Sequence, residues 1–193
     1  KIVARSRDVS TKLVGGIKAL LKKNKVTVIE GAPKLEGPGQ ILVNDKDKIS
    51  AKNIIIATGA RARNLPGFEA NGKNIWNYRQ ALVPDNVPKS MIIVGSGAIG
   101  IEFASFYNAL GSDVTVLEAA DRILPVEDSE ISAMAKKAFE AKGIKFKIGV
   151  KLEGQKSSAK GVSVTFDYNG KRESLESEIL LMAVGIVGNV ENI

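Results

Sequence analysis

The sequence predicts an α/β fold with a parallel sheet, and three observations lead to that prediction. Apolar strands and amphipathic helices alternate from residue 86 onward. A glycine-rich turn, Gly95 to Gly100, joins the first of these strands to its helix. A strictly alternating hairpin then precedes the last strand. Alternation of this kind is typical of a βαβαβ unit, here with an inserted hairpin.

Composition indicates a folded, soluble protein and restricts its chemistry. The 193 residues are 44% hydrophobic, which is enough for a real core in one large or two small domains. No apolar run approaches the length of a membrane span, and no signal peptide precedes the fold. The sequence contains no cysteine and no histidine. We therefore expect neither a catalytic residue nor a metal site in this chain, and no membrane association.

The net charge of +7 is concentrated at the start of the chain. Residues 1 to 25 hold eight lysines and arginines against Asp8 alone, and the remainder is neutral. Apolar residues within this stretch recur at helical spacing, namely Val9, Leu13, Ile17, Leu20 and Leu21. The basic residues then fall mostly on the opposite, solvated face. A nucleic-acid partner is not expected, because no aromatic side chains are interleaved to stack bases.

The first 85 residues predict one helix followed by strands. The helix ends near Asn24, and its two central glycines, Gly15 and Gly16, predict a closely packed neighbour. Residues 26–31 and 40–45 are rich in β-formers and predict short strands, and residues 52–60 predict a buried strand. Residues 61–90 contain three prolines and little periodicity, which places a domain boundary near residue 86.

The later residues predict the alternating unit in more detail. Strands are expected at 91–94, 113–118, 144–148 and 178–185, with helices at 98–110 and from an N-cap at Asp128 to Gly143. The second helix would carry five apolar residues on one face, namely Ile131, Met134, Ala135, Ala138 and Phe139. Asn169 and Gly170 predict the type I′ turn of the hairpin.

The glycine turn has the spacing of a dinucleotide-binding loop. Gly95, Gly97 and Gly100 would allow a tight turn, close approach of a pyrophosphate, and close packing of helix on strand. The spacing alone is a weak signal, but here it lies between a strand and a helix whose N–H groups would face phosphates. Glu118, at the end of the next strand, would accept hydrogen bonds from ribose hydroxyls and favour NAD over NADP, although Arg122 lies nearby. The alternative to a dinucleotide site is a purely structural glycine turn, with Glu118 having no role in binding.

These residues resemble a known family. VPKSMIIVGSGAIGIEFASFYNALGSDVTVLEAADRILPVEDSEIS resembles the NAD-binding domain of the flavin-dependent disulfide oxidoreductases, closest to their dihydrolipoamide dehydrogenase branch. KNIIIATGA is similar to the strand of that family that contacts FAD. The resemblance implies a Rossmann-like FAD/NAD(P)-binding fold, with a partial FAD-binding domain at 1–85, an NAD-binding domain at 86–186 and the start of a return to the FAD domain at 187–193. The chain is then an interior fragment, inactive alone.

The resemblance also implies site residues. The implied NAD contacts are Gly95, Ser96, Gly97, Ala98, Ile99, Gly100, Ile101, Glu102 near the nicotinamide, Glu118 at the ribose, Leu152 at the adenine through its main chain, and Gly185 at the nicotinamide end. The implied FAD contacts, in the parent enzyme only, are Pro33, Thr58, Gly59 and Ala60. The family's redox cysteines and catalytic histidine would lie outside this chain.

By the same resemblance, the parent enzyme oxidises dihydrolipoyl groups through a redox disulfide and FAD, and reduces NAD. Its expected partners are lipoyl-carrier subunits of 2-oxo acid dehydrogenase complexes, and it is expected to be a homodimer in the bacterial cytoplasm, or in the mitochondrial matrix if eukaryotic. Two alternatives remain open. One is an NADPH-using relative similar to glutathione or mercuric reductase. The other is an autonomous NAD-dependent dehydrogenase, although no acid–base constellation stands out for it.

Overall fold

A computed structural model describes all 193 residues, which form two compact units. The first unit comprises Lys1–Ala60 with Gly188–Ile193, and the second comprises Arg61–Val187. The division at residue 61 differs from the boundary expected near residue 86. The reason is that the intervening segment supplies a sheet strand and a short helix to the second unit, despite its prolines.

The first unit contains one long helix and a small antiparallel sheet. The sheet has the strand order β1-β2-β3, and its β2–β3 turn places Asn44 and Asp45 at a φ of 54° each. Asparagine and aspartate tolerate this left-handed conformation better than most residues. The elements are α1 (Ile2–Lys23), β1 (Pro33–Gly37), β2 (Gln40–Val43) and β3 (Asp47–Ser50).

Helix α1 ends as the sequence predicts, with Asn24 as its C-cap. None of its residues is buried, and Leu13 in the middle of its apolar stripe is 65% exposed. The expectation of a closely packed neighbour at Gly15 and Gly16 is wrong, because nothing lies within 4 Å of a Cβ at either position. The periodicity therefore predicted the helix correctly without predicting contacts.

Two strands predicted in this unit do not form. Residues 26–30 and 52–59 have no strand structure, and Ile55 is 91% exposed. Both segments have β-branched residues, but a strand requires a hydrogen-bonded partner strand, and neither segment has one here. The short strand β2, by contrast, is confirmed where residues 40–45 predicted it.

The second unit is built on a five-stranded sheet with the order β5-β12-β6-β7-β8, and all four of its strand pairs are parallel. This arrangement confirms the predicted α/β class. Two three-residue strands, β4 and β13, lie where the chain enters and leaves this unit. The elements are β4 (Ala60–Ala62), β5 (Ile75–Trp76), α2 (Tyr78–Ala81), β6 (Ser90–Val94), α3 (Ala98–Ala109), β7 (Asp113–Glu118), α4 (Ser129–Glu140), β8 (Lys145–Ile148), β12 (Ile179–Met182) and β13 (Ile186–Gly188).

The hairpin predicted before the last strand belongs to a three-stranded antiparallel meander. Its strands are β9 (Lys151–Ser158), β10 (Gly161–Tyr168) and β11 (Lys171–Ser177), in the order β11-β10-β9. Asn169 and Gly170 have φ values of 55° and 74°, as the predicted type I′ turn requires. Strand β9 was missed because its sequence, KLEGQKSS, lacks an apolar alternation.

The core consists of two hydrophobic clusters, and alternate residues of the same strand belong to different clusters. Met91 and Ile93 of β6 lie in a cluster with α3, including Ala104 and Tyr107. Ile92 and Val94 lie in the other cluster with the meander residues Val162, Val164 and Phe166. Because successive strand residues point to opposite faces, the sheet is covered by a helix on one face and by the meander on the other.

Helix α4 packs against the core through only part of its apolar face. Its N-cap is confirmed, since the Asp128 carboxylate accepts from the Glu130 and Ile131 N–H groups. Of the predicted apolar face, Phe139 packs against the core, whereas Ile131 and Met134 are exposed. Only the C-terminal part of this apolar face therefore meets the core. No helix combines the length and apolarity needed to cross a bilayer.

Candidate dinucleotide-binding site

The glycine turn lies at the carboxyl end of the central strand β6 and leads directly into α3. Gly95 has a φ of 99°, and a Cβ there would collide with the carbonyl oxygen of Ala183. A Cβ at Gly100 would collide with the carbonyl oxygen of Gly95. Both residues must therefore be glycine for the turn and the helix to pack as they do.

Gly97 is different, because nothing in the chain requires a glycine at its position. Its backbone is extended, with φ −65° and ψ −179°, which any residue can adopt. A Cβ placed on it would have no heavy atom within 4 Å and would point into open space. The missing side chain leaves room for something outside the chain to approach the backbone closely.

The N-terminus of α3 opens at the same place. Gly97 is its N-cap, no side chain caps it, and its first turn carries no acidic residue. The first N–H groups of a helix have no partner within the helix and carry a partial positive charge. Together with the space at Gly97, they form an arrangement suited to a phosphate group.

Glu118, at the end of β7, lies directly beside the glycine turn. Its Oε2 accepts from the Ser96 N–H and from the Ser96 hydroxyl, each at 2.7 Å. Its Oε1 accepts from the Ala120 N–H at 2.8 Å. The side chain is only half-buried, so the carboxylate can be reached from solvent.

An open cleft of about 1100 Å³ joins the glycine turn to Glu118. It lies at the carboxyl ends of the parallel strands, which is where open α/β sheets bind their ligands. Seven of the residues that the sequence analysis singled out line it: Gly95, Gly97, Ala98, Ile99, Glu118, Leu152 and Gly185. These residues come from four separate segments of the chain, and the fold brings them together.

Four other singled-out residues do not line the cleft. Ser96, Gly100 and Ile101 are buried beneath it, and Glu102 is exposed on α3. The fold also adds residues that sequence reasoning missed, among them Leu65, Pro66, Phe68, Val126 and Lys151. Leu65, Pro66 and Phe68 belong to residues 61–90, whose prolines and weak periodicity predicted a domain boundary. The large apolar side chains beside Pro66 were the available signal for a role in the cleft.

Two of the four candidate flavin contacts lie in one groove of the first unit. Pro33 and Thr58 line a groove of about 500 Å³, which also contains Ile54, Ile55 and Ile56. The Thr58 hydroxyl donates to the carbonyl oxygen of Asn189, whose amide donates back to the Thr58 carbonyl at 3.0 Å. Gly59, with a φ of 77°, and Ala60, the first residue of β4, follow directly but do not line the groove.

The sheet order and the glycine turn at its centre place the second unit in the Rossmann-like class of α/β folds. Over residues 1–193, the chain matches the family described as pyridine nucleotide-disulphide oxidoreductase. The chain belongs to this family, which confirms the resemblance seen in its motifs.

Curated relatives of this chain within the family include dihydrolipoyl dehydrogenases. The dihydrolipoyl dehydrogenase of Zymomonas mobilis is 46% identical, and the match covers all of this chain and 42% of that protein. The dihydrolipoyl dehydrogenase of Rhizobium etli is 44% identical, covering all of this chain and 44% of that protein. The chain therefore spans less than half the length of these relatives.

Solved structures agree with the family. LpdA from Mycobacterium tuberculosis superimposes with a TM-score of 0.86 at 30% identity, over 98% of this chain and 43% of that one. The HOCl-induced flavoprotein disulfide reductase RclA from Escherichia coli superimposes with a TM-score of 0.83 at 25% identity, over 99% of this chain and 43% of that one. Both superpositions support a flavoprotein disulfide oxidoreductase fold.

Proposed function

We propose that the second unit is the NAD-binding region of a dihydrolipoyl dehydrogenase. The observation that carries this proposal is that the open space at Gly97 lies at the N-cap of α3, where no side chain caps the helix. That space adjoins the uncapped start of α3, and both lie in the same cleft as Glu118. A dinucleotide requires this combination of a phosphate cradle and a ribose acceptor.

Each part of the cleft would hold one part of the dinucleotide. The main chain of Gly97 to Ile99 would bind the pyrophosphate, and Glu118 would accept from the adenosine ribose. Leu152 would lie at the adenine. Gly185 and Glu102 would lie near the nicotinamide. When bound, NAD accepts a hydride from reduced flavin. The protein's contribution is to orient the nucleotide for that transfer.

The parent enzyme would oxidise dihydrolipoyl groups on carrier subunits of 2-oxo acid dehydrogenase complexes, as a homodimer in the bacterial cytoplasm. The bacterial relatives named dihydrolipoyl dehydrogenase support this assignment. The present chain would be inactive alone, because it has no cysteine for the redox disulfide and no histidine. Pro33, Thr58, Gly59 and Ala60 would contact FAD in the parent only, so the purified chain should be colourless.

An NADPH-using relative is the second candidate, and Arg122 is the residue that favours it. Its guanidinium, however, donates to the Pro125 carbonyl oxygen at 3.1 Å and lies 3.5 Å from the Asp121 carboxylate. It does not line the cleft, whereas Glu118 does. A 2′-phosphate at this position would meet the Glu118 carboxylate, so we favour NAD.

A fluorescence titration with NADH, and in parallel with NADPH, tests the proposal. We expect saturable binding with NADH preferred. Gly97→Ala should weaken NADH binding by about tenfold or more, because the added methyl occupies space needed by the pyrophosphate. Gly154→Ala is the matched control, since a Cβ there also meets nothing within 4 Å but Gly154 lies outside the cleft. Equal affinities for the folded Gly97→Ala variant and the wild type would contradict the proposal.

A further inference from the structure

Ser96 is a completely buried polar residue in the middle of the glycine turn, with 0% of its surface exposed. It does not line the cleft, so its side chain is not placed to contact a ligand directly. Its hydroxyl instead donates to Oε2 of Glu118 at 2.7 Å. A hydroxyl buried at this position therefore acts on the acid that we assign to the ribose.

The Glu118 carboxylate is held from two sides. The Ser96 N–H and hydroxyl approach one oxygen, and the Ala120 N–H approaches the other at 2.8 Å. Hydrogen bonds to an ionised carboxylate are about twice as strong as bonds between neutral groups. The Ser96 carbonyl oxygen also accepts from the Leu124 N–H at 2.9 Å, which ties the loop after β7 to the glycine turn. Rotation of this carboxylate away from the cleft would break several of these bonds.

A fixed carboxylate discriminates between the two nucleotides more strongly than a free one. A carboxylate offers about four acceptor positions, and three are already used here, which leaves about one for a ribose hydroxyl. A 2′-phosphate cannot donate a hydrogen bond in its ionised form and is repelled by the charge. A freely rotating glutamate could turn away and relieve that repulsion, whereas one held by Ser96 cannot.

We propose that Ser96 is a positioning residue that makes Glu118 discriminate NADH from NADPH. The inference rests on the proposed dinucleotide site and adds a specificity determinant to it. Sequence spacing alone does not reveal this role, because it depends on the contact of Ser96 with Glu118, which lies 22 residues further along the chain.

The test compares the dissociation constants of NADH and NADPH for the full chain and for Ser96→Ala. Removing the hydroxyl should lower the NADPH-to-NADH ratio of dissociation constants by about tenfold, the value of one charge-assisted hydrogen bond. Ser112→Ala is the matched control: Ser112 is also buried, but its hydroxyl donates to the Pro88 carbonyl oxygen at 2.6 Å and does not contact Glu118. The ratio should not change in that variant.

A double-mutant cycle separates positioning from a merely structural effect. In a Glu118→Ala background, Ser96→Ala should change the ratio by less than about twofold, because the group that it positions is absent. A tenfold change in that background would overturn the proposal, as would an unchanged ratio for Ser96→Ala in a wild-type chain that prefers NADH. In the latter case the dinucleotide site itself would stand. If the folded wild-type chain bound neither nucleotide, the proposed function would fail in this chain, and the Ser96 proposal with it.

Discussion

The two units of this chain carry similar apolar patterns but bury them very differently. In the first unit, helix α1 and the segments around residues 26–30 and 52–59 are rich in apolar residues, yet Val43 is the single hydrophobic residue that becomes buried. In the second unit, most apolar residues of strands β6, β7 and β12 are buried. An apolar pattern therefore specifies which face can be buried, and a neighbouring element decides whether it is.

Helices α1 and α3 show the same difference in burial between two elements of the same type. Helix α1 has 22 residues and none is buried. Helix α3 has 12 residues and buries four, namely Gly100, Ile101, Ala104 and Tyr107, and Ala104 and Tyr107 pack in the same cluster as Met91 and Ile93 of the sheet. Because isolated helices are only marginally stable in water, α1 depends on its local propensities, whereas α3 is stabilised by packing.

The largest expected effect comes from truncating equivalent leucines in the two units. Leu180→Ala, in the core of the sheet, should lower the free energy of unfolding by about 4 kcal/mol, since the side chain is completely buried. Leu13→Ala, on exposed α1, should change it by less than about 0.5 kcal/mol. Urea unfolding followed by far-UV circular dichroism, which detects both units, measures the two changes, and the fluorescence of Trp76, the single and buried tryptophan, reports on the second unit. Similar losses for both variants would mean that α1 is buried in solution.

A glycine substitution tests how closely the second unit is packed. Gly100→Ala should destabilise the second unit by about 3 kcal/mol, because its Cβ collides with the main chain of Gly95. The same Trp76 signal measures this loss. Gly154→Ala serves again as the control in this unit, because its Cβ meets nothing. A fully stable Gly100→Ala variant would show that the turn and α3 are less closely packed than described.

Tyr107 provides a pH-dependent test that is confined to the second unit. Its hydroxyl donates to the Ala81 carbonyl oxygen at 2.7 Å, and burial raises the pKa of Tyr107 from 10.0 to about 12. Between these values the unfolded chain loses the proton while the folded chain keeps it, so stability falls as pH rises. The loss should be about 2 kcal/mol from pH 10 to pH 12.

The matched variant for this pH test is Tyr107→Phe, which removes the titrating group but keeps the ring. Urea unfolding at pH 9 and at pH 12 should show a steeper decline for the wild type than for the variant. Parallel declines would mean that Tyr107 is not protected from solvent in the folded protein. The variant should also lose about 1 kcal/mol at neutral pH, because the Ala81 carbonyl oxygen loses its partner.

The smallest effect has the opposite sign and belongs to the first unit. Gly16→Ala should stabilise helix α1 by about 1 kcal/mol, since alanine restricts the unfolded backbone and meets no neighbouring atom. Far-UV circular dichroism of the Gly16→Ala variant should show more helix or a higher melting temperature. The unfolding curve followed by Trp76 should not change. A loss of helix would indicate a neighbour packed at Gly16.

Much of the candidate site could be predicted because its signals are local. The order of Gly95, Gly97 and Gly100 between a strand and a helix located the turn, and the position of Glu118 at a strand end located the acid. The cleft wall formed by Leu65, Pro66 and Phe68 could not be predicted in this way. It is formed by a segment that lies far from the turn in sequence, and no spacing rule links the two.

The end of α1 at Asn24, the Asn169–Gly170 turn and the Asp128 cap were predictable because each depends on residues only a few positions apart. The class of fold was predictable from the order in which strands and helices alternate along the chain. Only the tertiary structure decided that β5 joins the sheet, that α1 stays exposed and that Ser96 holds Glu118. Those outcomes depend on which distant segments become neighbours. Ser96 and Glu118 are 22 residues apart and meet because the carboxyl ends of adjacent parallel strands lie at one edge of the sheet.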